Sequence, residues 1–193
     1  MDDQITIGIP DLYPLLKADA ERIGFTMPSD LQIGSLLKTL VRSKPGSNLL
    51  ELGTGAGLSL AWMVDGMDTA TRLTTIDNDP LLIEMVQNHF GKMENLEFIC
   101  TDGTEWIKNY EGEKFDLIFA DAWPGKYSEI DETLLLLEPG GFYIVDDMTA
   151  QPNWPEGHQK NVDRLVEYLE NRPDLSLTKL NWSTGVIIAV KIS

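Results

Sequence analysis

Asn48-Leu49-Leu50-Glu51-Leu52-Gly53-Thr54-Gly55-Ala56-Gly57-Leu58-Ser59-Leu60 decides the reading of this chain. A short apolar run carrying one acid ends in three alternating glycines, and a helix-forming pattern follows at once. This reads as a buried strand, a tight turn and a helix N-terminus. Glycine has no Cβ to hold a ligand away and tolerates positive φ, so a ligand can lie close against such a turn. The unpaired N–H groups opening the next helix face the same place.

On the N-terminal side, residues 1–9 read as an arm. Leu12, Leu15, Leu16, Ala20 and Ile23 then have the spacing of an amphipathic helix over 10–23. A second helix starts at the N-cap candidate Ser29-Asp30, with Leu31, Ile33, Leu36, Leu37, Leu40 and Val41 on its apolar face. On the C-terminal side strands and helices alternate. Strands are expected at 48–52, 72–76, 96–100, 115–120 and 141–145, and helices at 58–65, 80–90, 104–110, 127–137 and 159–171. Two β-rich runs, 175–180 and 185–192, flank Asn181-Trp182-Ser183-Thr184 and read as an antiparallel hairpin. The alternation predicts an α/β fold: a Rossmann-like, mainly parallel seven-stranded sheet, helices on both faces, and a C-terminal hairpin closing one edge. No repeat or second domain is visible, so residues 1–193 are expected to form one domain.

Composition narrows the partners. The net charge of −16, with 15 scattered Lys and Arg, argues against a phosphate backbone as ligand. No apolar run approaches the ~20 residues a membrane span needs, and the acidic start Met1-Asp2-Asp3-Gln4 lacks the basic region of a signal peptide. Cys100 is the only cysteine, so no internal disulfide forms and a reducing, cytoplasmic setting is expected.

Ligands of open α/β sheets bind beyond the C-terminal strand ends. There this chain places Glu51 to Ser59, Asp77 to Asp79, Thr101 to Thr104, Asp121 to Lys126, and Asp146 to Met148, with an acid at or near every strand end. Gly53, Gly55 and Gly57 give G-x-G-x-G, and Leu58 stands where the nicotinamide fingerprint needs its third glycine. No Gly-Lys-Ser/Thr follows, which removes the P-loop reading. Glu51 would repel a pyrophosphate and suits a cationic amino group. Asp77 can accept from ribose hydroxyls, and Asp102-Gly103-Thr104 can border an adenine.

At this point the chain resembles the class I S-adenosylmethionine-dependent methyltransferases, and is similar to the catechol/caffeoyl-CoA O-methyltransferase type. The resemblance rests on Glu51 to Ser59, Thr75-Ile76-Asp77-Asn78-Asp79-Pro80, Phe115 to Ala122 and Leu137 to Asp147, with the C-terminal hairpin. It implies that Glu51, Gly53, Gly55, Gly57 and Ser59 face the methionine end of the cofactor. Asp77 would hold the ribose. Asp102, Gly103, Thr104 and Trp123 would border the adenine, and Asp121 would lie near the amino group. It further implies that the helices within 1–47, with Met27 among their flanking residues, contribute to the pocket of a small-molecule acceptor. A homodimer is the assembly common among such proteins.

Methyl transfer from a sulfonium is an in-line displacement that needs a placed acceptor and a route for its proton. In the resembling family a divalent cation assists; the corresponding ligands here are Asp121, Asp146 and Asp147, an all-oxygen set suited to Mg²⁺. The pair Asp146-Asp147 replaces the family's Asp-Asn. The family's lysine stands three residues after the first Asp, where this chain has Pro124, and Lys126 follows two later. Lys126 is therefore either a relocated catalytic residue or a surface lysine. His158, ending a Pro- and Trp-bearing loop, is either a general base or a surface histidine at a helix start. His89 and Cys100 read as structural, Cys100 as core. The alternatives are a metal-independent methyltransferase acting on nitrogen or a carboxylate, a non-catalytic cofactor-binding protein and, more distantly, a nicotinamide dehydrogenase.

Overall fold

The strand at the glycine turn is central to the sheet. In the computed structural model, which describes residues 8–192, β1 (Asn48–Leu52) lies between β2 (Arg72–Asp77) and β4 (Phe115–Ala120), parallel to both. Leu49, Leu50 and Leu52 are buried, as befits a strand covered on both faces. The full order is β3-β2-β1-β4-β5-β7-β6, with β3 at Leu96–Cys100, β5 at Leu137–Val145, β6 at Leu175–Leu180 and β7 at Val186–Lys191. Strands β1 to β5 run parallel; β7 is antiparallel to β5 and to β6. This is the expected sheet with its closing hairpin. The expected N-terminal arm falls almost wholly on residues outside the described range.

Helices cover both faces. Leu16 of α1 (Tyr13–Ile23), Leu37 of α2 (Leu31–Arg42), Trp62 of α3 (Leu58–Gly66) and Val86 of α4 (Pro80–Phe90) belong to one core. Ile107 of α5 (Gly103–Asn109), Leu134 of α6 (Ile130–Leu135) and Leu165 of α7 (Gln159–Glu170) belong to the other. Their starts are chemically marked. Asp30 Oδ1 accepts from Ile33 N at 2.9 Å, Asp79 Oδ1 from Leu81 N at 2.9 Å, and Asp102 Oδ1 from Thr104 N at 2.8 Å.

Three expectations need correction. Helix α6 begins at Ile130, because the Trp123 carbonyl accepts the N–H groups of Lys126, Tyr127 and Ser128 in a loop, and Glu129 has φ +51°. Strand β5 begins at Leu137, not at 141: Leu137 pairs with Phe115, and an irregularity between this pair and the next absorbs Pro139-Gly140-Gly141. Cys100 is exposed rather than core, because β3 is the edge strand.

Candidate functional site

The C-terminal ends of β1, β2, β4 and β5 open on one cleft of about 730 Å³. Gly53, Gly55, Ser59, Asp77, Asp121, Trp123, Lys126, Asp147 and His158, each singled out in the sequence, line it together with Phe25 and Met27. Glu51, Gly57, Asp102, Gly103, Thr104 and Asp146 do not line it.

The glycine turn is tied to β2. Gly53 N and Thr54 N donate to the Ile76 carbonyl at 2.9 and 3.1 Å, and Gly55 N donates to Asp77 Oδ2 at 2.8 Å. Asp77 Oδ1 takes the Asp79 N–H at 3.0 Å. An ionised carboxylate has about four acceptor sites, so Asp77 keeps capacity toward the cleft. Phe25 lies over Gly55, where an added Cβ would meet its ring at 3.0 Å.

Glu51 lies one layer below the cleft and is fully buried. Ser59 Oγ and Thr75 Oγ1 each donate to it at 2.6 Å, and Thr75 Oγ1 is 2.6 Å from Thr54 Oγ1. Burial pushes its carboxyl up to about 8, against the lowering pull of the two hydroxyls. Burial therefore favours the protonated acid over the carboxylate. A raised carboxyl keeps its proton when folded over the range in which the unfolded chain has released it. Stability is then highest below the ordinary carboxylate range and falls as pH climbs toward about 8. One such proton corresponds to roughly 1.4 kcal/mol per pH unit at most. Glu51→Gln mimics the neutral acid. Denaturant melts at pH 5 and 8 are expected to show a smaller loss of stability for the variant than for the native chain; equal losses would refute the assignment.

Beyond β4, Lys126 is 5% exposed, so it is not a surface lysine. Its Nζ lies 3.8 Å from Asp121 Oδ1 and 5.3 Å from the centre of the Tyr127 ring. Asp121 also accepts from Ser29 Oγ at 3.4 Å. Burial raises Asp121 to about 6, with Lys126 pulling down and Asp147 pushing up. Asp146 is raised to about 8 by burial and then by Asp121; Asp147 is also raised by burial.

Asp121, Asp146 and Asp147 stand near one another, since Asp121 and Asp147 both raise Asp146, but among the described residues no group of three His, Cys, Asp or Glu side chains is arranged to hold a metal ion. Asp146 is buried, its Oδ1 taking the Thr184 hydroxyl and, at 2.7 Å, the Asp147 N–H. Asp121 faces Lys126 instead.

The opposite wall is aromatic. His158 Nε2 is 3.2 Å from Tyr127 Oη, and its ring centre lies 4.7 Å from Trp154, 5.2 Å from Tyr127 and 6.2 Å from Trp123. Asn153 Nδ2 donates to the Thr26 carbonyl at 3.1 Å, joining the β5–α7 loop to the segment between α1 and α2. Trp123 is half exposed. The segment Asp102-Gly103-Thr104 backs this wall: a Cβ on Gly103 would lie 3.2 Å from Pro124, and Thr104 Oγ1 donates to Glu129 at 3.0 Å. His89 is bound to Asp19 at 2.6 Å, joining α4 to α1 away from the cleft. Sequence reasoning missed Ser29, Thr75, Asn153 and the Tyr127 hydroxyl as parts of the site. Their partners are remote in sequence, and no local spacing marks them.

A family model described as O-methyltransferase matches residues 10–192. The chain belongs to this O-methyltransferase family. A relative from Mycobacterium ulcerans named as an O-methyltransferase is 30% identical over 169 residues, covering 82% of this chain and 75% of its own length. A like-named relative from Mycobacterium avium is 32% identical over 118 residues, 58% of this chain; the match spans about half of that relative, 53%. The O-methyltransferase TomG from Streptomyces achromogenes, solved in complex with SAM, superposes with a TM-score of 0.84 at 21% identity, covering 99% of this chain and 94% of its own. An O-methyltransferase from Bacillus cereus in complex with SAH superposes with a TM-score of 0.83 at 22% identity, over 98% and 94%. These superpositions establish the shared fold. Among the described residues no helix is long and apolar enough to cross a membrane.

Proposed function

We propose that the chain is an S-adenosylmethionine-dependent O-methyltransferase acting on a hydroxyl of a small molecule. One observation carries this: the same cleft is lined at one end by the glycine turn and Asp77, and at the other by the Lys126–Asp121 pair and the aromatic wall. The first end suits the amino acid and ribose parts of the cofactor, through the backbone of Gly53 and Gly55, the Ser59 hydroxyl and the Asp77 carboxylate. Glu51 supports this end through Ser59. Trp123 offers the adenine a flat face, backed by Asp102-Gly103-Thr104 through Pro124.

When bound, the cofactor supplies a sulfonium methyl: the acceptor's O–C bond forms as the S–C bond breaks, and the electron pair stays on sulfur. The chain's own residues deal with the proton and the charge. Asp121, with its carboxyl at about 6, is ionised at neutral pH and lies where it can take the hydroxyl proton. The Lys126 ammonium stabilises the oxygen as negative charge develops on it. Tyr127, Trp154 and His158 wall in a flat acceptor, and His158 offers a second proton acceptor through its contact with Tyr127. The lone cysteine supports a cytoplasmic setting.

A divalent cation is the second reading. It is favoured by the burial and mutual repulsion that raise Asp121 and Asp146. In the present arrangement the carboxylates are not a chelating set, so no step above runs through a metal. Two measurements test these readings. Calorimetry with S-adenosylhomocysteine is expected to show one site per chain; no binding would overturn the cofactor assignment. Turnover of hydroxylated aromatic acceptors is expected to persist in EDTA. Turnover abolished by EDTA and restored by Mg²⁺ would establish the second reading.

A further inference from the structure

We infer that Tyr143, a core residue of β5 outside the cleft, is the positioning residue that aims Lys126 into the site. This rests on the proposed role of Lys126 in methyl transfer.

In the resembling proteins the lysine stands three residues after the strand-end Asp. Here it stands five after, beyond Pro124-Gly125. Two extra residues would ordinarily carry a lysine side chain elsewhere, yet Lys126 is 5% exposed with Nζ 3.8 Å from Asp121. The bond between Gly125 and Lys126 explains how. Its carbonyl, that of Gly125, accepts from Tyr143 Oη at 2.6 Å. Its N–H, that of Lys126, donates to the Trp123 carbonyl at 3.3 Å. Both polar ends of one rigid peptide plane are thus held, and this plane sets the direction in which the Lys126 side chain leaves the backbone. Gly125 N–H is itself held by the Ser128 carbonyl at 2.8 Å. The glycine is obligatory: φ is +84°, and an added Cβ would lie 2.3 Å from Leu52 Cδ1.

The Tyr143 hydroxyl suits this task. The residue is fully buried, its strand is paired with β4 and β7, and burial holds the phenol protonated across any working pH. It donates to the Gly125 carbonyl and touches neither acceptor nor cofactor, since it does not line the cleft. The backbone N–H groups of Gly125, Lys126, Tyr127 and Ser128 are all bonded within the loop; the Tyr143 hydroxyl ties the Gly125–Lys126 peptide to β5.

Tyr143→Phe removes one oxygen and keeps the ring. Three measurements are compared across native, Y143F, K126A and the double variant: kcat, KM for the acceptor and S-adenosylhomocysteine affinity by calorimetry; the acetylation rate of Lys126, by mass spectrometry, is compared between native and Y143F. The expectation for Y143F is a roughly tenfold fall in kcat, cofactor affinity within about twofold, and at least about fivefold faster acetylation of Lys126. Because the hydroxyl acts through the lysine, the double variant should be no slower than K126A alone. An unchanged kcat and acetylation rate in Y143F would overturn the inference, as would a double variant slower than K126A by a further tenfold. A Y143F chain that fails to fold or to bind S-adenosylhomocysteine would make the hydroxyl a contact of the fold, and that too overturns it. If the native chain binds no S-adenosylhomocysteine, the cofactor reading fails on its own, while the acetylation comparison still reads whether Tyr143 positions the lysine.

Discussion

Lys126→Ala is expected to lower kcat by about 10²- to 10³-fold while S-adenosylhomocysteine affinity stays within about threefold. The range is that of removing one positioned acid–base or charge-stabilising group. The split follows from geometry. Lys126 stands by Asp121 and Tyr127, whereas the glycine turn and Asp77 make their contacts with one another and with β2. Loss of the ammonium also removes the larger of the two influences, Lys126 and the Ser29 hydroxyl, that lower Asp121 among the described residues, so the Asp121 carboxyl should rise above about 6. The acid limb of the variant's pH–rate profile is expected to move to higher pH for that reason, since the carboxylate must be ionised to take a proton. Lys126→Arg should rescue little: the side chain is buried, and a planar guanidinium does not fit a space shaped for a compact ammonium. A kcat within threefold of native for K126A, measured under saturating cofactor and acceptor, would show that Lys126 is only a buried counter-charge to Asp121.

Much of the fold was legible because its signals are local. The run at β1, the glycine turn and the helix start at Leu58 announce themselves within thirteen residues, and the cap at Asp30 is read from a side chain that bonds backbone three residues on. Expectations failed where a distant contact overrules a local pattern. The helical spacing after Tyr127 is real, but the Trp123 carbonyl gathers three N–H groups and holds Tyr127 to Ser128 in a loop. The apolar neighbourhood of Cys100 looks like core until the sheet order places β3 at the edge.

The site divides in the same way. The strand-end rule led directly to Asp77, Asp121, Lys126 and Asp147, which do share a cleft. It did not reveal that Glu51 lies beneath the cleft with its proton retained, since charge in solution and charge in a buried strand differ by the cost of desolvation. Nor could spacing reveal contacts such as Asn153 with Thr26, or Ser183 with Asp30, which join segments 127 and 153 residues apart.

Gly53→Ala is expected to reduce S-adenosylhomocysteine affinity at least tenfold and to lower Tm by about 4–12 °C. Gly53 has φ +102°, a conformation that alanine adopts only under strain. Space is the larger problem. An added Cβ would lie 2.9 Å from the Asp121 carbonyl oxygen and 3.1 Å from its carbon. These are backbone atoms at the end of β4, so no side-chain rotation relieves the contact. The ends of β1 and β4 are also stitched by Asp121 N to Leu52 O at 2.9 Å. Either this bond stretches or the turn swings away from the Ile76 carbonyl that holds Gly53 N. Strain and clash together cost about 2–3 kcal/mol, which at roughly 2–4 °C per kcal/mol for a chain of this size gives the stated Tm range. Because the disturbed atoms are the floor of the cleft, binding suffers along with stability. Gly140→Ala separates the two causes: Gly140 has φ +80° but open space around its Cβ position. It is expected to lower Tm by a few degrees through strain alone and to leave S-adenosylhomocysteine affinity unchanged. Should both alanine variants lose stability equally and bind equally well, the close approach of the turn to β4 would have no bearing on the cofactor end of the cleft.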